Sequence, residues 1–422
     1  MNFSLNASPD IKMSDSGQRR SKLKMSFSLI AQIIFIISIV FFLILTLIQK
    51  FGEPKVAAIV NNYVVPIENC YCYTQLDEDE KHIYEELLKA APSGTDTFEI
   101  SNVSADDYKS SYTEKIENAV NAFTNDHPEF FWLGNSFTSE HASIAKKITL
   151  RLYQYEFWKK SFDKEELANK FFSRVNEIVA EVPETADSFE RVKFVHDYLI
   201  ANISYDHSAA EDNDDGKWSL ESSYAFTGYG GIVNGRCVCG GYSEAFQIIL
   251  QRMGYECTYV SGETQLGLHA WNVIKLDGEY YYFDVTWDDV EAWTNSDGAT
   301  SFLDGNRHDY FAVTTAEFSK EHTDKYFNYP LCTATYYNYF FHEDYTVFSF
   351  SEKKINDIIE KQLSENFTDI SLKFTDEKTM NSALSYLRSG ALQKLFINYG
   401  YSGRYLAYSN NNMLVFTFIP GK

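Results

Sequence analysis

An apolar run near the N-terminus constrains this chain more than any other feature of its sequence. Residues 27–48 read FSLIAQIIFIISIVFFLILTLI and contain four polar residues but no charged one. A run of more than about eighteen apolar residues is long enough to cross the hydrocarbon layer of a membrane as a helix. A helix buried in a soluble domain normally keeps a polar face instead. The run therefore predicts a transmembrane helix over residues 26–48.

The charges that flank the run predict its orientation. Four basic residues lie between positions 19 and 24, whereas Lys50 and Glu53 follow the run. Because positive charge stays on the cytoplasmic side, residues 1–25 are expected to form a cytoplasmic tail, with everything after about residue 50 outside the cell. No small-residue cleavage pattern closes the run, so we expect a retained anchor and not a removed signal peptide. The expected protein spans the membrane once and displays extracellular C-terminal domains.

The outer part of the chain is acidic and rich in apolar residues. The formal net charge of the 422 residues is −22, although the first fifty contain six basic and two acidic groups. This acidity excludes sequence-independent nucleic-acid binding, which needs a basic surface, and it repels anionic surfaces. With 45% hydrophobic residues the chain can bury cores, and its six cysteines are too few for a disulfide scaffold.

Local periodicity divides the outer part into three regions. Residues 49–160 are expected to form an N-terminal accessory α/β region, residues 161–348 a central domain, and residues 349–422 a small C-terminal α+β domain. In the accessory region we predict β-structure at 56–65, helices at 76–91 and 106–123, and strands at 130–133 and 148–155. In the central domain we predict helices at 164–182 and 188–203. In the last domain we predict helices at 355–363 and 377–387, and strands at 370–374, 394–398 and near 405 and 415.

The residues able to carry chemistry lie between positions 230 and 289. Cys239 begins a segment, CGGYSEAFQIILQRMG, whose apolar residues follow helical spacing. The free N–H groups and the dipole at a helix N-terminus lower the pKa of a thiol and favour the nucleophilic thiolate. An unselected cysteine is more often a small buried apolar residue, so other residues must decide between the two interpretations.

A hairpin downstream of this helix supplies an imidazole and a carboxylate. Asp277-Gly278 is a two-residue turn signal between two β-rich segments. If these two residues form the turn, His269 lies opposite Thr286, and Asp284 lies on the same sheet face as a diagonal neighbour about 7–8 Å away. A three-residue bulged turn would place Asp284 on the opposite face. The first arrangement brings together the nucleophile, base and orienting group of covalent acyl transfer.

These residues lie in three motifs that resemble the transglutaminase-like superfamily, a branch of the papain-like cysteine enzymes. In chain order the motifs are YGGIVNGRCVCGGYSEAF at 229–246, HAWN at 269–272 and YFDVTWD at 282–288. Upstream, HDYL at 196–199 and the pair Tyr205-Asp206 are similar to the helix that precedes the nucleophile in bacterial members. The resemblance covers roughly residues 165–345, and PEFFW at 128–132 is similar to a segment of bacterial surface members.

The resemblance implies an α+β fold in which the nucleophile helix packs on an antiparallel sheet. It also implies Cys239 as nucleophile, His269 as base and Asp284 as the residue that orients the imidazole. No set of cysteines and histidines has structural-zinc spacing, so we expect no metal, and we expect no cofactor. The reaction would be amide or peptide hydrolysis, or glutamine-to-amine transfer, through a thioester on Cys239. The expected substrates are proteins or cell-wall peptides. Because the family contains members that have lost activity, a catalytically inactive surface binding module is the alternative.

Cys237 competes with Cys239 for the role of nucleophile, since it lies two residues away. The family's nucleophile stands about fifteen residues before the glycine that ends its helix, which is Gly254 here, and this spacing favours Cys239. Cys237 could be a packing residue or a redox partner. A thiol–disulfide exchanger that uses both cysteines is a third hypothesis, although a Cys-x-Cys disulfide would be strained.

The remaining candidates have simpler interpretations. Two adjacent carboxylates, Asp288 and Asp289, are weak evidence for a cation site without further ligands at close spacing. The pairing of Cys70 and Cys72 stays open. The residues interpreted as structural are His196, Asp197, Cys257 and Cys332.

Overall fold

The structure of the protein is a computed structural model that describes residues 35–36, 38–40, 55–103, 110–142, 144–211, 222–289 and 307–421. The chain divides into two compact units, residues 1–51 and 52–422. In the first unit the described residues are helical and exposed. The rest of the predicted transmembrane helix and the whole predicted cytoplasmic tail lie outside the described residues. Among the residues that are described, no helix is both long and apolar enough to cross a membrane.

The accessory region combines two helices with a three-stranded antiparallel sheet of order β1-β3-β2. The helices are α1 (Glu78–Ala90) and α2 (Ser110–Asp126), and the strands are β1 (Thr97–Ser101), β2 (Leu133–Ala142) and β3 (Lys147–Gln154). Helix α1 begins with a capping box, in which Asp77 and Glu80 each accept the other's backbone N–H. Trp132 and Trp158 stack in the core with 4.3 Å between ring centroids.

Two predictions for this region are wrong. The β-structure predicted at 56–65 is absent from this described segment, and residues 55–60 are helical, because Val56 and Val60 lie about one helical turn apart and both are buried. Residues 130–133, predicted as a strand, begin inside a 3₁₀ turn at Pro128–Phe130, and β2 starts only after it. The three aromatic residues at the start of this segment are all buried, so the alternation of a half-exposed strand is lacking.

The central region packs a helix that begins at Cys239 on a four-stranded antiparallel sheet of order β8-β7-β6-β9. Its helices are α3 (Glu156–Lys159), α4 (Lys164–Glu181), α5 (Ser188–Asn202), α6 (His207–Glu211), α7 (Cys239–Arg252), α8 (Val285–Asp288), α9 (Thr315–Phe318) and α10 (Tyr339–His342). Its strands are the parallel pair β4 (Ser204–Tyr205) and β5 (Arg236–Cys237), and then β6 (Glu256–Thr264), β7 (Gly267–Leu276), β8 (Glu279–Phe283) and β9 (His322–Asp324). The predicted α+β arrangement, a helix on an antiparallel sheet, is confirmed.

The turn between β7 and β8 has the predicted two-residue form. Asp277 and Gly278 both have positive φ, 50° and 90°, as a type I′ turn requires. Asn272 then faces Phe283, which is the register that the two-residue turn predicts. Pairing stops at Phe283 because the chain enters α8 two residues later, so Asp284 lies just beyond the end of the sheet.

Gly262 lies on β6, where the absence of a side chain makes room for the indole of Trp271. It faces His269 on β7, and a Cβ at this position would lie 2.1 Å from Trp271 Cη2 and 2.4 Å from the carbonyl oxygen of Thr323. We expect Gly262→Ala to lower the free energy of unfolding by about 1–3 kcal/mol, the usual cost of overpacking. Urea denaturation measures this, with Gly240→Ala as the control, since a Cβ there meets its nearest neighbour at 3.4 Å. Equal stability of the two variants would contradict the prediction.

The C-terminal region is a second α+β layer built on a four-stranded sheet of order β10-β11-β13-β12. Its helices are α11 (Glu352–Ser364), α12 (Glu377–Tyr386) and α13 (Leu392–Asn398), and its strands are β10 (Thr346–Val347), β11 (Ile370–Phe374), β12 (Tyr405–Asn410) and β13 (Val415–Pro420). The strand predicted at 394–398 is wrong, because Leu392, Leu395 and Phe396 are buried at helical spacing. Buried Lys373 on β11 binds Glu317 of α9 at 2.8 Å and joins this region to the central one.

Candidate active site

Cys239 is the first residue of α7. Val238 precedes it in an extended conformation and, as an apolar residue, cannot cap the helix with its side chain. The thiol therefore lies among the free N–H groups at the positive end of a 14-residue helix. Cys239 is partly exposed, whereas the other five cysteines are buried. Of the six thiols, it is the one that a substrate can reach most readily.

Cys237, the competing residue, is a packing residue. It is fully buried on β5, beside α7. A Cβ on Gly241 would lie 2.8 Å from Cys237 Sγ, so the sulfur occupies the space that this glycine leaves open. Burial raises the pKa of the Cys237 thiol well above its ordinary value. Both properties oppose a nucleophilic role for Cys237.

His269, on β7, is hydrogen-bonded to Asp284, and both Asp284 and Cys239 influence its pKa. Its Nε2 donates to Asp284 Oδ2 at 2.7 Å, which leaves Nδ1 as the ring nitrogen available to the thiol. Burial lowers the pKa of His269, but the charges of Asp284 and Cys239, together with hydrogen bonding to both, raise it to about 10. The ring also lies against the Trp287 indole, with 5.4 Å between centroids. The raised pKa favours the protonated imidazole at neutral pH.

Asp284 connects the end of β8 to α8 and is almost completely buried. Its Oδ1 accepts the backbone N–H of Trp287 at 3.0 Å, so the carboxylate caps α8. Its Oδ2 accepts both His269 Nε2 and His322 Nε2, the second at 3.0 Å. Burial alone would raise the pKa of Asp284, but the charges and hydrogen bonds of the two imidazoles hold it below its ordinary value.

The sequence interpretation did not find His322. This residue lies on β9, the strand on the far side of β6 from β7, and reaches Asp284 only because the sheet brings β9 alongside β6. A single histidine outside every motif carries no local signal. Only knowledge of the strand order would have pointed to it.

His196 and Asp197 of α5 belong to a separate hydrogen-bonded network, in which His196 is buried and Asp197 is partly exposed. His196 donates to Asp288 Oδ2 at 3.1 Å and to Asp197 Oδ1 at 3.0 Å, and His308 donates to the same Asp197 oxygen at 2.8 Å. Burial lowers the pKa of His196, but its two carboxylate partners raise it overall. Asp288 also accepts the N–H of Tyr310 at 3.0 Å. These contacts hold α5 and α8 together and agree with a structural role.

Two sets of described residues have candidate metal-ligand atoms within 4.8 Å of one another: His196, Asp197 and His308, and His269, Asp284 and His322. In each set one carboxylate oxygen accepts hydrogen bonds from both imidazoles, at 2.7 to 3.0 Å. Ligands that share a tetrahedral zinc ion at about 2.0–2.1 Å stand farther apart than this. In this conformation the two sets are hydrogen-bonded clusters.

The accessory region contains a second cysteine–histidine pair, which is buried. Cys70 Sγ lies 3.9 Å from His127 Nε2, and His127 Nδ1 donates to Glu129 at 2.8 Å. Burial raises the pKa of Cys70, and it raises that of Cys72 well above its ordinary value. Both thiols are free, which answers the open question about their pairing, and Cys257 and Cys332 are buried as expected. Residue types alone therefore do not distinguish the site at Cys239, whereas exposure and position at a helix end do.

Residues 175–285 match the family model described as the transglutaminase-like superfamily. The matched range contains Cys239, His269 and Asp284, and it ends before His322. The chain thus contains a transglutaminase-like domain, as the sequence motifs predicted.

Two curated relatives are similar to this chain over part of its length. Kyphoscoliosis peptidase of Mus musculus is 28% identical over 128 residues, which are 27% of this chain and 18% of that protein. Kyphoscoliosis peptidase of Homo sapiens is 27% identical over 158 residues, which are 34% of this chain and 22% of that protein. The chain therefore spans only about a fifth of the length of these relatives. A solved structure described as the crystal structure of a TGase is also similar to part of this chain. The match includes 36% of this chain and 45% of that chain, with 13% sequence identity and a TM-score of 0.26.

Proposed function

We propose that this protein is a membrane-anchored extracellular enzyme that transfers acyl groups through a thioester on Cys239. The observation that carries the proposal is the His269 imidazole, which donates to buried Asp284 at 2.7 Å and whose pKa is raised by Asp284 and by the partly exposed Cys239. These groups are the nucleophile, the acid–base group and the orienting group of cysteine acyl transfer. A module that only binds a ligand has no need of all three.

The first half of the reaction forms the thioester. The Cys239 thiolate attacks the carbonyl carbon of a carboxamide or peptide bond, and a C–S bond forms. The backbone N–H of Cys239 is one donor for the negative charge that develops on the carbonyl oxygen. His269 then gives its Nδ1 proton to the leaving nitrogen as the C–N bond breaks. Asp284 accepts the Nε2 hydrogen bond throughout and so keeps the ring in the required tautomer.

The second half resolves the thioester. Water or a primary amine attacks the thioester carbonyl and loses a proton to His269 Nδ1, and the C–S bond breaks to return the thiolate–imidazolium pair. Attack by water completes hydrolysis, whereas attack by a lysine amine creates a cross-link. Both outcomes use the same groups of this chain, and the proposed substrates are proteins or cell-wall peptides.

The proposed location rests on the apolar run at 26–48 and on the basic residues that precede it. We expect the full-length chain to stay with the membrane fraction after alkaline carbonate extraction. We also expect protease added to intact cells to degrade the region around Cys239. A carbonate-soluble or fully protected chain would contradict the proposal on location and leave the chemistry of the site to be tested separately.

The activity is tested by incubating the full-length chain with a glutamine-containing peptide and a primary amine. Ammonia release without amine incorporation identifies an amidase, incorporation identifies a cross-linking enzyme, and backbone cleavage identifies a peptidase. If none of these reactions occurs and the Cys239 thiol is alkylated no faster in the wild type than in His269→Ala, the inactive binding module replaces the enzyme.

Iodoacetamide at neutral pH should alkylate Cys239 before the other five cysteines. Exposure alone favours this order, so the informative comparison is the rate of Cys239 in His269→Ala, which should fall by about tenfold because the imidazolium that stabilises the thiolate is gone. Peptide mapping by mass spectrometry gives the rate at each cysteine. An unchanged rate at Cys239 in the variant would show that the thiol is exposed but not activated.

A further inference from the structure

Asp284 is held by more donors than an orienting carboxylate needs. Its Oδ2 accepts His269 Nε2 at 2.7 Å and His322 Nε2 at 3.0 Å, while Oδ1 accepts the N–H of Trp287 at 3.0 Å. Rotation of the carboxylate about its Cβ–Cγ bond would break all three hydrogen bonds together. The donor that comes from outside the β7–β8–α8 segment is His322, which therefore ties this segment to β9.

The His322 ring is fixed on both sides. It stacks on Phe318 with 3.9 Å between ring centroids and an interplanar angle of 17°, and it meets the Trp271 indole edge to face at 4.9 Å. Its backbone pairs with Thr264 on β6. Only 3% of the residue is exposed. Because packing already holds the ring in one orientation, its Nε2 donates to Asp284 with no further loss of side-chain entropy during the reaction.

The surroundings also determine where the His322 proton lies. Nδ1 is buried and has no hydrogen-bond partner among the residues that the structure describes. A proton there would be a buried donor without an acceptor, which costs about 1–3 kcal/mol. Nε2 is therefore the nitrogen that carries a proton, and it donates this proton to the Asp284 carboxylate.

We infer that His322 is a positioning residue of this site, which acts on His269 through Asp284 and fixes the carboxylate in the orientation that the reacting imidazole needs. The inference rests on the proposed function and extends it to a residue outside the range that matches the family. The His322 ring also lies 5.8 Å from the His269 ring, centroid to centroid, and its hydrogen bond to Asp284 Oδ2 at 3.0 Å is the contact through which we infer that it acts. The same hydrogen bond helps to keep Asp284 ionised.

The test is a mutant cycle in the full-length chain, with His322→Phe, His322→Gln, Asp284→Asn and His322→Phe combined with Asp284→Asn. Phenylalanine keeps the ring packing but removes the donor. We expect kcat to fall about 10- to 100-fold at unchanged KM, the effect of losing a hydrogen bond to a charged group. Glutamine places an N–H as many bonds from Cα as Nε2 of histidine and should restore most of this loss. In the Asp284→Asn background, His322→Phe should cause no further loss.

His308→Phe is the matched control, because it removes another buried imidazole whose Nε2 donates to a carboxylate, that of the partly exposed Asp197, at 2.8 Å. It should leave kcat close to wild type. If His322→Phe fails to fold, His322→Asn replaces it, because the asparagine amide is too short to reach Asp284. His322→Gln, which is also polar but long enough to reach Asp284, is then its control.

Two results would overturn the inference: wild-type kcat in His322→Phe, or a loss that adds fully to that of Asp284→Asn. The rate at which iodoacetamide alkylates Cys239 is measured in every variant. It should fall in His322→Phe, recover in His322→Gln and fall no further when His322→Phe is added to Asp284→Asn. If the wild type turns over no amide, the proposed function fails, but the alkylation cycle still decides whether His322 acts on the thiol–imidazole pair through Asp284.

Discussion

Cys239→Ala is expected to lower kcat by about 10⁶-fold, the effect of removing a covalent nucleophile from an acyl-transfer enzyme. Without Sγ no thioester can form, and the remaining groups bind substrate without attacking it. The measurement is ammonia release and amine incorporation by the full-length chain, with mass spectrometry of the quenched reaction to detect an acylated Cys239 peptide in the wild type. Because Cys239 is partly exposed, the melting temperature should stay at the wild-type value.

Cys237→Ala provides the control for this result. Its sulfur is buried, so the variant should lose about 1 kcal/mol of unfolding free energy to a small cavity. Its kcat should nevertheless stay close to wild type. Loss of activity in both cysteine variants would favour thiol–disulfide exchange over acyl transfer. Full activity of Cys239→Ala would exclude the thioester altogether.

Asp284→Asn is expected to lower kcat by about 10⁴-fold, as loss of the charge behind a catalytic imidazole does. The two carboxylate oxygens accept three N–H donors, whereas an asparagine side chain has one oxygen and must turn an NH₂ group toward at least one of them. The variant therefore loses both the charge that holds His269 protonated and the tautomer that the ring needs. Steady-state kinetics across a range of pH measure both effects.

The sign of the pH effect follows from the raised pKa of His269. In the wild type the His269 imidazole stays protonated up to about pH 10. The raised pKa therefore stabilises the folded protein fully below the ordinary histidine pKa, and this stabilisation is lost as the pH rises through about 10. In Asp284→Asn the pKa should fall toward its ordinary value of about 6.5, so the alkaline limb of kcat moves down toward neutral pH. Asp197→Asn, which removes another carboxylate that accepts two imidazoles, is the control and should leave the limb in place. An unmoved limb in Asp284→Asn would contradict the assignment of Asp284.

The parts of the site that could be predicted are those encoded by short segments. The Asp277-Gly278 turn predicted the register of β7 and β8, and the turn dihedrals confirm it. Helical spacing predicted α7 from Cys239, and the structure begins that helix at the same residue. In each case neighbouring residues along the chain carry the whole signal.

The missed features depend on tertiary packing. His322 reaches Asp284 only across the sheet, and nothing near it in the sequence records that contact. The segments 56–65 and 394–398 contain several apolar or β-branched residues, so propensity favoured β-structure, whereas burial of one helical face made 55–60 and 394–398 helical. The burial of Cys237 likewise depends on its contact with α7.

The tight turn at Asp277-Gly278 makes the span between His269 and Asp284 intolerant of changes in length. Since side chains alternate between faces along a strand, one inserted or deleted residue in either strand would move Phe283 or Val285 under the imidazole in place of the carboxylate. An insertion of two residues would keep the carboxylate on the same face but would still move Asp284, which lies just beyond β8, by roughly 7 Å. Engineered tags or loops should therefore be inserted before Gly267 or after α8, because insertions there do not change the number of residues between His269 and Asp284.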